Sequence, residues 1–283
     1  MMHRGAALLL VGALAMSACS ADLNPNTAPA CELDATASVA TATVMQLQAI
    51  PDAAWGPCIN ELLVGWDYEP QTAKRGETTF WLDSDRMGDR FLRVRLQTAC
   101  QHPSAVAADS SVEGISRYVQ IEEEPGPIEV SVIAIAPRHE GFASGIAAGL
   151  SGRRLEGRSI EATLADSEDR APTRIQGALA EGRYAIVIDD REMASNTVEL
   201  RFPGGETLDG VSLDEALEEM EEVLGTPRFR ATWFHEFAGG CIVYRFDATG
   251  SGAQTVADDV AEALGFFPLA EFRRSAREAG FDV

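Results

Sequence analysis

A mixed α/β and β fold in three parts is what this chain predicts: a β-rich N-terminal domain, a central mixed-sheet α/β domain, and a C-terminal β-hairpin plus helices. Three observations carry the prediction. Short alternating or β-rich stretches follow one another between Thr41 and Glu124. Beyond Glu124-Pro125-Gly126-Pro127 the pattern becomes apolar strands alternating with helices, which implies helices packed on a mostly parallel sheet. Past Gly225-Thr226-Pro227 an aromatic-rich hairpin precedes two helical stretches. At 283 residues and 46% hydrophobic content, the chain can bury a substantial core in two or three domains.

Residues 1–18 precede this folded part. Arg4, the apolar run Ala6–Met16 and the small pair Ser17-Ala18 stand before Cys19. The run is too short to span a bilayer but fits the apolar core of a cleavable export signal. The stretch Leu14-Ala15-Met16-Ser17-Ala18-Cys19 resembles the lipobox of bacterial lipoproteins, with Met16 where Leu is usual. That resemblance implies a diacylated Cys19 as first residue of the mature chain. It also implies the lipid bilayer as partner through the Cys19 diacylglycerol, on the extracytoplasmic side of the cell membrane. An ordinary secretory signal without lipid is the alternative, and both export the chain. Residues 19–40, rich in Ser, Ala, Asn, Pro and Thr, bury too little to offset ordering entropy and predict a flexible tether.

With Cys19 assigned to lipid, Cys31, Cys58, Cys100 and Cys241 remain, an even number in an oxidising compartment, which suggests two disulfides. Cys58 and Cys100 fall in one domain and are expected to pair, leaving Cys31 to tie the N-terminal segment to Cys241. Four free buried thiols are the alternative.

In the β-rich domain, residues 41–125, the strand-like stretches are Ala42–Ile50, Leu62–Tyr68, Thr78–Leu82, Phe91–Thr98 and Ser116–Ile121, with turns at Glu69-Pro70 and Met87-Gly88-Asp89. Asn60 to Leu63 fits a short helical turn equally well. In the α/β domain, residues 128–225, Ile128–Ala136 and Tyr184–Asp189 are continuous apolar strands, as strands buried on both faces require. Ser159–Ala165 and Asn196–Phe202 also read as strands, and Phe142–Leu150 and Thr173–Ala180 as helices. Ser212 and Glu215 form a capping-box pattern that opens a helix to about Leu224. In residues 226–283, Phe229–Phe237 and Cys241–Phe246 predict a hairpin. Thr255–Leu264 and Leu269–Ala279 predict helices split at Pro268. The hairpin's aromatic face needs a cover, so this part is either its own unit or a continuation of the first domain.

The central residues also carry a likeness. Val130–Ala136 followed by Pro137-Arg138-His139-Glu140, then Asp166-Ser167-Glu168-Asp169-Arg170-Ala171-Pro172, Tyr184–Asp189, Arg191-Glu192, Asn196–Arg201 and Gly210–Glu215 follow in an order that resembles the anticodon-binding domain of class II aminoacyl-tRNA synthetases. The resemblance implies an anticodon-binding-like α/β fold. It does not bring anticodon binding with it, because Ser167, Glu168 and Pro172 replace the Arg, Asn and Gly of the family's loop. Between Ile128 and Gly225 nine Arg and no Lys stand against twenty Asp and Glu, a net of −11 within a chain of net −21. That sign excludes a phosphate backbone as an expected partner, so no nucleic acid is expected.

Candidate chemistry is sparse. Asp83-Ser84-Asp85 has the spacing of a phosphatase Asp-x-Asp, and Asp83, Asp85, Gly88 and Asp89 that of a weak calcium loop, but Met87 removes an oxygen ligand and a solvated turn is simpler. Asp247-Ala248-Thr249-Gly250-Ser251 and Gly141-Phe142-Ala143-Ser144-Gly145 each miss a protease or hydrolase motif by one position. His102, His139 and His235 have no metal-ligand spacing, although His235, Glu236 and Cys241 share a hairpin. The run Glu215, Glu218, Glu219, Glu221 and Glu222 is a solvated helix face or an acidic docking surface. No catalytic residue, metal or cofactor is therefore expected. The chain is expected to act as a non-enzymatic, membrane-anchored binding or interaction module for an envelope protein or small ligand. The alternatives are an envelope hydrolase of dispersed site and an RNA-binding protein, the latter only if residues 1–18 are not an export signal.

Overall fold

The computed structural model describes residues 27–31, 41–165 and 171–278. The leader, Cys19, most of the tether and residues 166–170 lie outside the described residues. The named elements of the described residues begin with helix α1 (Thr41–Ala49) and strands β1 (Trp55–Ile59), β2 (Trp66–Lys74), β3 (Glu77–Ser84), β4 (Gly88–Gln97), β5 (Val106–Ala108) and β6 (Ser116–Glu123). Then come β7 (Ile128–Ala134), α2 (Glu140–Leu150), β8 (Arg154–Leu155), β9 (Arg158–Ala165), α3 (Ala171–Ala180), β10 (Tyr184–Ile188), α4 (Asp190–Ser195), β11 (Val198–Arg201), β12 (Thr207–Val211) and α5 (Leu213–Leu224). The last elements are β13 (Arg228–Phe237), β14 (Gly240–Thr249), α6 (Val256–Ala263), β15 (Leu264–Pro268) and α7 (Leu269–Glu278).

The C-terminal hairpin is not a separate unit. β13 and β14 sit in the middle of an antiparallel seven-stranded sheet of order β2-β3-β4-β14-β13-β6-β5. An isolated hairpin cannot cover its apolar face. Here Ala231, Trp233, Tyr244 and Phe246 join one core with Phe80, Leu92 and Val94 of the earlier strands and with Val256, Val260, Leu269 and Phe272 of α6 and α7. β15 crosses back to pair with β1, with Pro57 opposite Phe266. β6 and β13 are antiparallel neighbours, yet the whole α/β domain lies between them in sequence. The α/β domain is thus an insertion in one turn of a discontinuous host.

The insert has a mixed six-stranded sheet of order β12-β11-β10-β7-β9-β8. Only β10-β7-β9 is parallel; the outer pairs are antiparallel, a narrower parallel core than the mostly parallel sheet expected. α2 and α5 pack on one face with Val130, Val132 and Ile186, while α3 packs on the other with Ile133 and Val187. Ser212 caps α5 as expected, its Oγ accepting from the Glu215 N–H at 3.2 Å.

Four local expectations need correction. Ala42–Ile50 is helix α1, not a strand: its β-branched Thr and Val suggested extension, but packing overrides propensity. Gln46 is fully buried there and donates to the Pro57 carbonyl and to Gln71 Oε1, while Gln71 donates to the Ala42 carbonyl, so helix, β1 and β2 share one polar network, in which Gln46 Oε1 alone is left without a partner among the described residues. Glu69-Pro70 is no turn; it lies within β2, where the register slips between Glu69 and Thr72, and β2 is an edge strand that tolerates proline. Asn60 to Leu63 forms no helix but follows β1. The disulfides join Cys31 to Cys58 and Cys100 to Cys241, with Cα–Cα distances of 4.9 and 5.2 Å, instead of the expected pairs. Cys58 lies on β1, where Ala30 bridges Ile59 and so brings Cys31 alongside. Cys100 follows β4, whose Gln97 pairs with Cys241 of β14.

The insert docks on the host through the β8–β9 turn. The Ser159 N–H donates to Gln254 Oε1 at 2.9 Å, and Gln254 Nε2 donates to Ser159 Oγ at 3.2 Å. Beside them Gly157, at φ +83°, lies so close to the Ser251 backbone that a Cβ would overlap the carbonyl. Gly152, at φ +82°, has open space around its Cβ position. Gly157→Ala is therefore expected to cost about 1–3 kcal/mol more than Gly152→Ala in urea unfolding, since both share the backbone penalty and only the first meets the host. Equal losses would refute this docking.

Candidate functional site

The host core is open at one end, between the sheet and the α6–β15 segment. A cavity of about 430 Å³ lies there, walled by β6, β13, β14, β15 and the loop at Asp109–Val112. Strand alternation aims Trp233 and His235 of β13 the same way. Tyr244 lies opposite Trp233, and Arg117 of β6 lies opposite His235. The Arg117 guanidinium sits 4.3 Å above the Trp233 ring, a cation–π arrangement. His235 lies 5.1 Å from Tyr244 and 4.8 Å from Phe266, and Phe266 faces Tyr244 nearly parallel at 6.3 Å. The result is an aromatic box with one charged wall.

Its polar groups lack partners. Arg117 Nε, His235 Nε2 and the Tyr244 hydroxyl are buried with no hydrogen bond among the described residues. His235 is 6% exposed and Tyr244 3%. Each such group forfeits roughly 1–3 kcal/mol when left unpaired, so three in one cavity form a demand that a ligand can meet. Burial, reinforced by the Arg117 charge, lowers the His235 pKa to about 3. Burial raises the Tyr244 phenol well above its usual range and lowers Arg117. At neutral pH the box thus offers a neutral imidazole, a phenol O–H and a guanidinium. A ligand with an aromatic or other planar apolar body and an anionic or hydrogen-bonding edge matches that inventory.

Other singled-out residues serve structure. Asp83 Oδ1 accepts from the Arg90 N–H at 2.6 Å and Ser84 Oγ accepts from the Arg86 N–H at 3.2 Å, closing the β3–β4 turn; Met87 is buried in the core. Asp247 pairs with Arg228 at 2.8 Å, and Gly141 and Gly145 lie in α2. His102 stacks on Tyr118 at 3.9 Å and meets Glu236 at 3.4 Å, whereas His235 faces inward, so β13 separates His235 from Glu236. Among the described residues no group of three or more His, Cys, Asp or Glu could hold a metal ion. Glu215, Glu218, Glu219 and Glu222 are exposed on α5, while Ala216, Leu217 and Met220 are buried.

In the insert, buried His139 accepts from the Ala136 N–H through Nδ1 at 3.2 Å, which leaves Nε2–H to donate to Asp190 at 3.0 Å. Arg138 Nε also donates to Asp190 at 2.8 Å, and together Arg138 and His139 hold that carboxyl well below the usual range. Both ring nitrogens of His139 are engaged, so this cluster ties β7 to α4. Asp189 caps α4 through the N–H groups of Arg191 and Glu192.

Arg117, Trp233, Tyr244 and Phe266 escaped the sequence reading as site residues. Arg117 carried a signal nonetheless, because it falls in phase with Val119 and Ile121 on a strand whose inward positions should be apolar.

The fold is that of a strand-rich host with an inserted mixed-sheet α/β domain of the class II synthetase anticodon-binding type. Residues 129–223 match the family described as "Anticodon binding domain". Over 101 residues, 35% of this chain, it is 27% identical to the threonine-tRNA ligase of a Nocardioides species, and the match spans 14% of that enzyme. The likeness covers the insert and leaves the host, with its cavity, outside.

Proposed function

We propose that the chain is a membrane-anchored lipoprotein that captures a small planar ligand in the host cavity, acting in the cell envelope as a binding module and not as an enzyme. The observation that carries the reading is the cavity with three orphaned polar atoms between aromatic walls. A non-catalytic role is supported by the state of His235, which near-neutral pH leaves unprotonated and which faces a cation, so it is a poor partner for general acid–base work. The lipobox-like stretch ending at Cys19 supports the anchor. The insert supplies an acidic platform for an envelope protein, and its net of −11 argues against nucleic acid.

Two measurements test this. Titration with 8-anilinonaphthalene-1-sulfonate, an aromatic anion, is expected to saturate at one site with a change in Trp233 emission. Arg117→Gln and Trp233→Leu are each expected to weaken it about tenfold or more. Equal binding by all three proteins would refute the cavity as the site. The intact mass of protein from its native membrane is expected to match a diacylated chain beginning at Cys19; an unprocessed mass would refute the anchor.

A further inference from the structure

We propose a second binding site on the opposite face of the host sheet, an arginine-built subsite for a small soluble phosphorylated ligand. β4 and β14 are neighbours, and their register sets Arg93 directly opposite Arg245, with Arg95 two residues along β4 on the same face. Arg245 alternates with Tyr244, so this face looks away from the aromatic cavity. Like charges directly opposite each other destabilise a sheet. Their presence calls for a compensating anion, all the more in a chain whose net charge is −21.

The protein's own acids do not supply it. On this face Glu77 is engaged by Lys74 at 3.1 Å and by Arg95 at 3.5 Å. Asp247 is engaged by Arg228 at 2.8 Å and by Arg230 at 3.9 Å. Among the described residues Arg93 and Arg245 have no carboxylate within ion-pair distance. Arg95 Nε is buried without an acceptor. Burial, with Arg95 and Arg245 alongside, lowers the Arg93 pKa.

The space fits a small anion. A groove of about 380 Å³ is lined by the three arginines together with Gln97, Gln101 and Thr232. A second groove of about 320 Å³ shares Arg93 and Arg95 and continues towards Lys74. The Cys100–Cys241 bridge anchors the segment that carries Gln101. Guanidinium forks match phosphate oxygens bidentately, and amide and hydroxyl groups complete such a shell. Size also separates a soluble ligand from a bilayer. Screening acts over about 10 Å at 0.1 M salt, so a small ion responds to the local cluster, while an extended anionic membrane meets the whole acidic surface.

The test is calorimetric titration of the mature protein with inorganic pyrophosphate at low salt, with thermal unfolding in parallel. One saturable site, weakening as salt rises, is expected. Arg93→Gln and Arg245→Gln are each expected to weaken binding about tenfold or more, while leaving the ligand-free melting temperature unchanged or raised. Arg154→Gln, on β8 of the insert, removes the same charge and is expected to bind as the parent does. No pyrophosphate binding, or binding indifferent to Arg93 and Arg245, would overturn the site. Equal affinity for citrate would overturn the phosphoryl assignment. Arg93-dependent binding to phosphatidylglycerol vesicles would overturn the soluble ligand in favour of a membrane.

Discussion

Removing the Cys100–Cys241 bridge by paired alanine substitution is expected to lower the unfolding free energy by about 5 kcal/mol, against about 3.5 kcal/mol for the Cys31–Cys58 bridge. The difference arises in the unfolded chain. The first bridge closes a loop of sequence separation 141, the second one of 27, and the entropy withdrawn from the denatured ensemble grows with the logarithm of loop length. The long loop contains the whole insert. Urea unfolding of the two variants measures both losses. A larger loss for Cys100–Cys241 means that host and insert unfold together. Equal or reversed losses would contradict that, because an insert that stays folded draws its own ends together and shortens the effective loop.

Acidification below pH 6.5 is expected to destabilise the protein through His235, by up to about 1.4 kcal/mol per pH unit. Burial, with the Arg117 charge alongside, depresses the His235 pKa from its ordinary value of 6.5 to about 3 in the fold. Above pH 6.5 the imidazole is neutral in both states and the folded state bears no penalty. As pH falls towards 3 the unfolded chain takes up a proton that the folded chain refuses, so stability is lost across that window and levels off below it. At pH 5 the loss from this residue alone reaches about 2 kcal/mol. His235→Phe keeps a ring against Tyr244 and Phe266 but cannot titrate, so its stability is expected to fall less steeply over the same range. Parallel pH profiles for parent and variant, from urea midpoints at pH 7 and pH 5, would refute a buried neutral His235.

Much of the fold was legible because local chemistry and tertiary structure agreed. The breaks at Pro125-Gly126-Pro127 and Gly225-Thr226-Pro227 mark the junctions of the insert, and continuous apolar runs mark β7 and β10 at its centre. The Ser212 cap places α5, and Ala238-Gly239 marks the β13–β14 turn. Legibility failed where a distant partner decided. Residues 41–49 took helical form because Gln46 and Leu47 fit under the sheet. Pro70 stayed in a strand because that strand is an edge.

The candidate site was less legible than the fold, and for one reason. Trp233, Tyr244 and Phe266 are residue types that normally fill a core, and in the sequence they look like core. They line a cavity only because Arg117 takes an inward position on β6 and α6–β15 leaves the end of the sheet open. The arginine face has the same origin: Arg93 and Arg245 are 152 residues apart and meet only when β14 returns beside β4.

The sequence by itself determined the strand-rich and α/β composition of the two domains, the insert's type, the strongly acidic surface and the four cysteines available for bridging. Those follow from periodicity, charge and residue type, which act over a few neighbours. Tertiary structure alone decided that the C-terminal hairpin completes the first domain, which cysteines pair, and which polar side chains are buried without partners. Those depend on strands far apart in the chain coming into register, and register is set by packing across the whole sheet.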